Sequence, residues 1–141
     1  MAVTARVKWI DSDRFLGESG SGHAVVMEGA PDEGEVAVGI RPMEMLLLGM
    51  GGCTALDVVS ILRKARESVT GVAVDLEGER AEGPPRVYRR IHAHYTVTGR
   101  GLKESAVARA VKLSAEKYCS ATVMLAATAE VTHDFEIVEA E

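Results

Sequence analysis

Two cysteines dominate the chemistry open to this chain. Cys53 ends the run Leu46-Leu47-Leu48-Gly49-Met50-Gly51-Gly52-Cys53, and Asp57 follows four residues later. Cys119 closes Ser114-Ala115-Glu116-Lys117-Tyr118-Cys119. Neither cysteine belongs to a CxxC pair or a local metal-ligand spacing, so any partnership between them must be made by the fold. A thiol attacks only as the thiolate, which a cation, a polar partner or a helix N-terminus favours and burial opposes. Asp57, one helical turn beyond Cys53, adds a negative charge that opposes ionisation further, and its expected role is a structural hydrogen bond. Taken singly, each cysteine also fits a small buried hydrophobe, so nucleophile and core filler both stay open.

The glycines beside Cys53 need a reason, because each costs roughly 1 kcal/mol relative to alanine in a helix interior. Close packing of a neighbour against bare backbone is one; access to the thiol is the other. If the helix starts at Pro42 and runs unbroken, Cys53 lies about three turns inside, whereas the dipole acts within the first turn. A break at Gly51-Gly52 would instead create a new N-terminus.

Other candidates are weaker. His92 and His94 share a strand face and, with His133 or His23, could offer metal nitrogens. The same parity carries Tyr88, Arg90, Thr96 and Thr98, so a solvated polar face is the expectation. Gly17-Glu18-Ser19-Gly20-Ser21-Gly22 has no lysine or helix start after it and reads as a turn, not a phosphate loop. Met27, Met43, Met45, Met50 and Met124 suit an adaptable apolar pocket or ordinary core filling.

The elements that must position these groups follow from periodicity. Residues 3–10 and 22–28 predict an N-terminal hairpin, and Pro31-Asp32-Glu33-Gly34 a turn. A helix is expected from Pro42 to Ser68, apolar on every side in its first half. Val72, Val74 and Leu76, then Val87, Ile91, Tyr95 and Val97, alternate as two long strands of a hairpin. Ala106, Val107, Ala110, Val111, Ser114 and Tyr118 form one stripe of a second helix ending near Cys119 or continuing towards Ala127. Val131, His133, Phe135 and Ile137 mark a last, half-buried strand. This is an α+β pattern, with helices segregated to one side of antiparallel sheet, in a single domain over 1–141. A helix without a polar face needs cover on all sides, so a homodimer that buries the first helix is expected.

The 141 residues carry a formal charge of -5, with a pI near 5.4. That balance argues against nucleic acid or an anionic membrane as partner, since both call for a net-basic face. The first residues lack an apolar signal core, and the run from Met45 to Leu56 is short for a bilayer, so the expected setting is the cytoplasm.

With these residues in view, the chain resembles the OsmC/Ohr family of bacterial thiol-dependent hydroperoxide reductases over nearly its whole length. The resemblance rests on Pro42-Met43-Glu44 leading through Leu46-Leu47-Leu48-Gly49-Met50-Gly51-Gly52 to Cys53, and on Glu116-Lys117-Tyr118-Cys119-Ser120. Phe15-Leu16-Gly17-Glu18-Ser19 with Ser21-Gly22-His23 resembles the YhfA-like branch. The resemblance implies an intertwined homodimer with central helices wrapped by sheets. It also implies a peroxidatic Cys53 that attacks the O–O bond of an organic hydroperoxide, and a resolving Cys119. An external dithiol would then reduce their disulfide, with no metal or flavin required. Characterised members place a glutamate directly after the helix-starting proline, where it orients an arginine that holds the thiolate. Here Met43 occupies that position and Glu44 comes one residue later, rotated by about 100 degrees. Arg14 and Arg41 are the candidate arginines, and Ser120 stands where the family has proline. These departures motivate a second expectation, a non-catalytic, redox-sensitive or apolar-ligand-binding module on the same fold.

Overall fold

The computed structural model describes residues 2–141. They form three α-helices and two three-stranded sheets, the expected α+β class, in two compact units, 1–46 and 47–141.

The first unit is a meander of β1 (Ala5–Asp11), β2 (Arg14–Ser19) and β3 (Ala24–Glu28) in antiparallel order. The expected hairpin is therefore three strands. Ser12, at φ 45°, turns the chain so that Trp9 pairs with Phe15. Only Gly20 to Gly22 makes the second turn, because Gly17 to Ser19 pair with β1. The expected turn at Pro31 to Gly34 forms, with Gly34 at φ 85° and the Glu35 N–H donating to the Asp32 carbonyl. Glu28 ties the following segment down: its carboxylate accepts from the N–H groups of Val38 at 2.7 Å and Gly39 at 3.0 Å.

Helix α1 (Pro42–Lys64) begins in the first unit and passes into the second from Leu47. It stops short of the expected Ser68 because Arg66 turns into the left-handed region at φ 60°, and β4 (Ser68–Arg80) starts directly after. By length and composition α1 is long and apolar enough to cross a bilayer, with a mean hydropathy of 1.9. That corrects the estimate made from the Met45 to Leu56 run alone. Its Val58 and Leu62 are nevertheless fully buried against Ala93, Tyr95, Val97, Val107 and Val111 of its own unit, the packing of a core helix.

β4 pairs antiparallel with β5 (Tyr88–Arg100), which pairs with β6 (Glu130–Glu139) in parallel. The sheet is mixed, contrary to the antiparallel expectation. Parallel neighbours need a crossover, and α2 (Glu104–Leu113), a π-helical turn over Ser114–Tyr118, and α3 (Ser120–Ala126) supply it. Inward-facing Ile91, Ala93, Tyr95 and Val97 keep the predicted alternation. Tyr88 departs from the polar face assigned to it and is buried beside Gly78, where an added Cβ would come within 2.7 Å of its ring. Tyr118, placed by periodicity on the buried stripe, is exposed because the π-helical turn interrupts the helical register.

Candidate functional site

Cys53 and Cys119 come together within the second unit. Their sulfurs and one carboxylate oxygen of Asp57 all lie within 4.8 Å of one another, and both thiols are free. α1 is unbroken at the double glycine, so Cys53 sits beyond the reach of the first-turn dipole. The two glycines divide the reasons offered for them. A Cβ on Gly51 would stand 2.8 Å from Leu76 Cδ1, so that position serves close packing against β4. One on Gly52 would meet nothing within 4 Å, which leaves the backbone beside Cys53 open within this chain.

The helical run ends on Cys119, as the first of the two expected courses has it, and a separate helix starts directly after. The π-helical turn ends on it, with its N–H donating to the Ser114 carbonyl at 2.8 Å. Its backbone then turns extended, φ -77° and ψ 99°, to become the N-cap of α3. The cap side chain is a sulfur: Cys119 Sγ accepts from Thr122 Oγ1 at 3.0 Å and from the Thr122 N–H at 3.4 Å. The thiol is fully buried. Burial pushes its pKa up, and the neighbouring Cys53 adds to this, while the Thr122 donors pull it back. The more accessible Cys53 and the sequestered Cys119 are thus chemically distinct.

Behind the thiols runs a buried chain of hydroxyls. Ser114 Oγ donates to Asp57 Oδ2 at 2.9 Å, Thr54 Oγ1 lies 2.7 Å from Ser114 Oγ, and Tyr95 Oη lies 2.7 Å from Thr54 Oγ1. Each hydroxyl has one proton. Ser114 gives its proton to the carboxylate, so Thr54 donates to Ser114 and Tyr95 to Thr54. Burial raises the Tyr95 phenol pKa, which keeps it a donor. Asp57 has the structural hydrogen bond expected of it. Thr54, Ser114 and Thr122 were missed; the one available signal was a polar residue at a buried helical position, as Ser114 is on the α2 stripe. A groove of about 560 Å³ between α1 and α2 is lined by Asp57, Ile61, Lys64, Arg109, Leu113 and Tyr118.

The remaining predicted residues belong to the first unit. Arg14 Nε pairs with Glu28 at 3.3 Å and its Nη1 with Asp11 at 3.4 Å. Glu44 accepts from the Arg41 backbone N–H at 2.9 Å, the glutamate half of a capping box with Pro42 as the first helical residue, while the Glu44 N–H donates to the Arg41 carbonyl. The Arg41 side chain is exposed. Among the histidines, His92 Nε2 and His94 Nδ1 both contact Asp134 Oδ1, at 2.9 and 2.7 Å, on an exposed face, while His133 and His23 are exposed elsewhere.

Comparison with known proteins places these features in context. The family model described as "OsmC-like protein" matches residues 32–134. Protein YhfA of Escherichia coli (strain K12) is 52% identical over 138 residues, covering 98% of this chain and 100% of the relative. A hypothetical protein from Aquifex aeolicus superposes with a TM-score of 0.88 at 29% identity, covering 100% of this chain and 99% of that one. The organic hydroperoxide resistance protein OhrB of Bacillus subtilis has a TM-score of 0.64 at 11% identity, with 96% and 98% covered, a likeness of fold.

Proposed function

The chain belongs to the OsmC family, and from that premise we propose that it reduces organic hydroperoxides through Cys53 and Cys119, as a cytoplasmic defence against oxidative stress. The observation that carries this reading is the approach of one accessible and one buried thiol to within 4.8 Å. The fold shared with a protein named for organic hydroperoxide resistance supports it.

In the proposed cycle the Cys53 thiolate attacks one peroxide oxygen, the O–O bond breaks, and the leaving alkoxide takes a proton to become the alcohol. Cys53 is left as a sulfenic acid. The Cys119 sulfur then displaces that hydroxyl as water, forming the disulfide, and an external dithiol returns both thiols by exchange. The asymmetry between the cysteines supports these roles. Cys53 has open space beside it at Gly52, whereas Cys119 is sealed from solvent until a sulfenic acid forms next to it. A homodimer belongs to the same reading, because Leu48 and Leu56 are 58% and 71% exposed on the helix that carries Cys53. A second copy covering that face removes the apolar surface from water.

The test is peroxide consumption with a dithiol donor. Wild-type protein is expected to turn over, and Cys119→Ser to stop after one equivalent with a trappable sulfenic acid on Cys53. Unchanged turnover in Cys53→Ser sinks the proposal. Leu56→Lys is expected to shift the chain towards monomer by light scattering, and an unaltered mass for a monomeric wild type contradicts the dimer.

A further inference from the structure

We propose that the reduced thiols of Cys53 and Cys119, together with the Asp57 carboxylate, form a binding site for one soft divalent metal ion of the zinc class, which competes with peroxide for the sulfurs. The competition rests on the peroxidase reading; the metal site does not.

Asp57 motivates the inference, because thiol reduction of peroxide has no use for it. Asp57 lies one turn from Cys53 with a carboxylate oxygen within 4.8 Å of both sulfurs, and no ion pair among the described residues engages it. Two thiols and a carboxylate therefore share one place with no ion pair to Asp57, although Lys64 and Arg109 line the adjoining groove, and a divalent cation relieves that arrangement. Sulfur, sulfur and one carboxylate oxygen suit zinc or cadmium, whereas magnesium and calcium select oxygen alone.

The distances fit. Tetrahedral zinc with bonds of about 2.3 Å to sulfur holds its sulfurs ~3.8 Å apart. The three donors already lie within 4.8 Å, so closing on an ion takes about 1 Å of side-chain movement. Outer contacts are in place as well. Ser114 fixes the carboxylate through Oδ2, and Thr122 donates twice to the Cys119 sulfur. Three protein ligands leave a fourth position for water, and Asp57 itself borders an open groove. Each thiol loses its proton as its sulfur binds, so an ion that takes both sulfurs releases two protons to solvent. Peroxide reduction joins the sulfurs, removes both thiolates from the ion and frees it.

Full-length protein, stripped with a chelator and kept reduced by a phosphine, is titrated with cadmium and cobalt. One ion per chain with thiolate-to-metal charge-transfer absorption is expected, and zinc should protect Cys53 of the wild type from alkylation. Cys53→Ser and Cys119→Ser should each abolish the absorption. Asp57→Asn should weaken binding by at least tenfold, and Ser114→Ala by roughly 10- to 100-fold through the loosened carboxylate, with circular dichroism confirming that the variants fold. Absent charge-transfer absorption, equal affinity in Asp57→Asn, or retained binding in Cys119→Ser overturns the site. A chain that consumes peroxide normally yet shows no thiolate–metal absorption overturns the site and leaves the peroxidase reading standing. Zinc that occupies the three donors without slowing peroxide consumption overturns the competition.

Discussion

Ser114 Oγ donates to Asp57 Oδ2 at 2.9 Å, joining the π-helical turn after α2 to the helix that carries Cys53. The bond is the last in a line of three buried hydroxyls whose proton order is fixed by the carboxylate. Cutting the line in the middle leaves partners on both sides unsatisfied, whereas cutting its far end does not. Ser114→Ala is therefore expected to lose about 1–3 kcal/mol of stability and Tyr95→Phe about 1 kcal/mol. Denaturant unfolding of the two variants measures the difference, and equal losses would show that the protons run otherwise.

Glu44 accepts from the Arg41 N–H as the third residue of α1, a helix-capping contact. Glu44→Ala should cost about 1 kcal/mol of stability, with the rate of Cys53 alkylation unchanged. A slowed alkylation at constant stability would instead return Glu44 to the thiol chemistry.

The sequence made β4 and β5 readable because each keeps one uninterrupted alternation, and α1 because a long apolar run follows a proline suited to the first helical position. Val72, Val74 and Leu76 alternate for the reason that one face of β4 is buried, and the structure keeps that alternation. Direction was less legible: the side-chain pattern of Val131 to Ile137 is the same for a parallel and an antiparallel neighbour, and only the crossover through α2 and α3 decides it. Whether the second helix ends near Cys119 or continues towards Ala127 stays open in the sequence because no residue nearby announces a break; the π-helical turn ends on Cys119, and its sulfur caps the helix that follows. The thiols and Asp57 were visible as types, but Thr54 and Ser114 are ordinary helix residues until burial forces their hydroxyls to pair.

On the exposed sheet face, Asp134 Oδ1 lies 2.7 Å from His94 Nδ1, and Glu136 Oε1 lies 3.4 Å from His94 Nε2. Asp75 stands opposite His94 on β4. The hydrogen bond to Asp134, then that to Glu136, holds His94 above its ordinary 6.5. His94, then His92, holds Asp134 below its ordinary 3.8. The histidine contribution to stability is complete below 6.5 and is lost as pH rises through the raised value; the carboxylate contribution is complete above 3.8 and is lost as pH falls through the lowered one. Asp134→Asn should therefore lower the His94 midpoint followed by proton NMR and flatten the alkaline side of the thermal stability profile. An unmoved midpoint would contradict the pairing.

Thr122 donates to the Cys119 sulfur twice, through Oγ1 at 3.0 Å and through its N–H at 3.4 Å, and both bonds favour the thiolate that the proposed resolution step needs. Thr122→Val keeps the shape and the backbone bond and removes only the hydroxyl. Losing one such bond is worth about 1 kcal/mol, or roughly fivefold in rate at 25 °C. The sulfenic acid on Cys53 should then persist about fivefold longer after one equivalent of peroxide, while its rate of formation stays the same, because the hydroxyl touches only the second sulfur. Stopped-flow trapping of the sulfenic acid separates the two steps. Slower formation with unchanged decay would place the Thr122 hydroxyl on the wrong thiol.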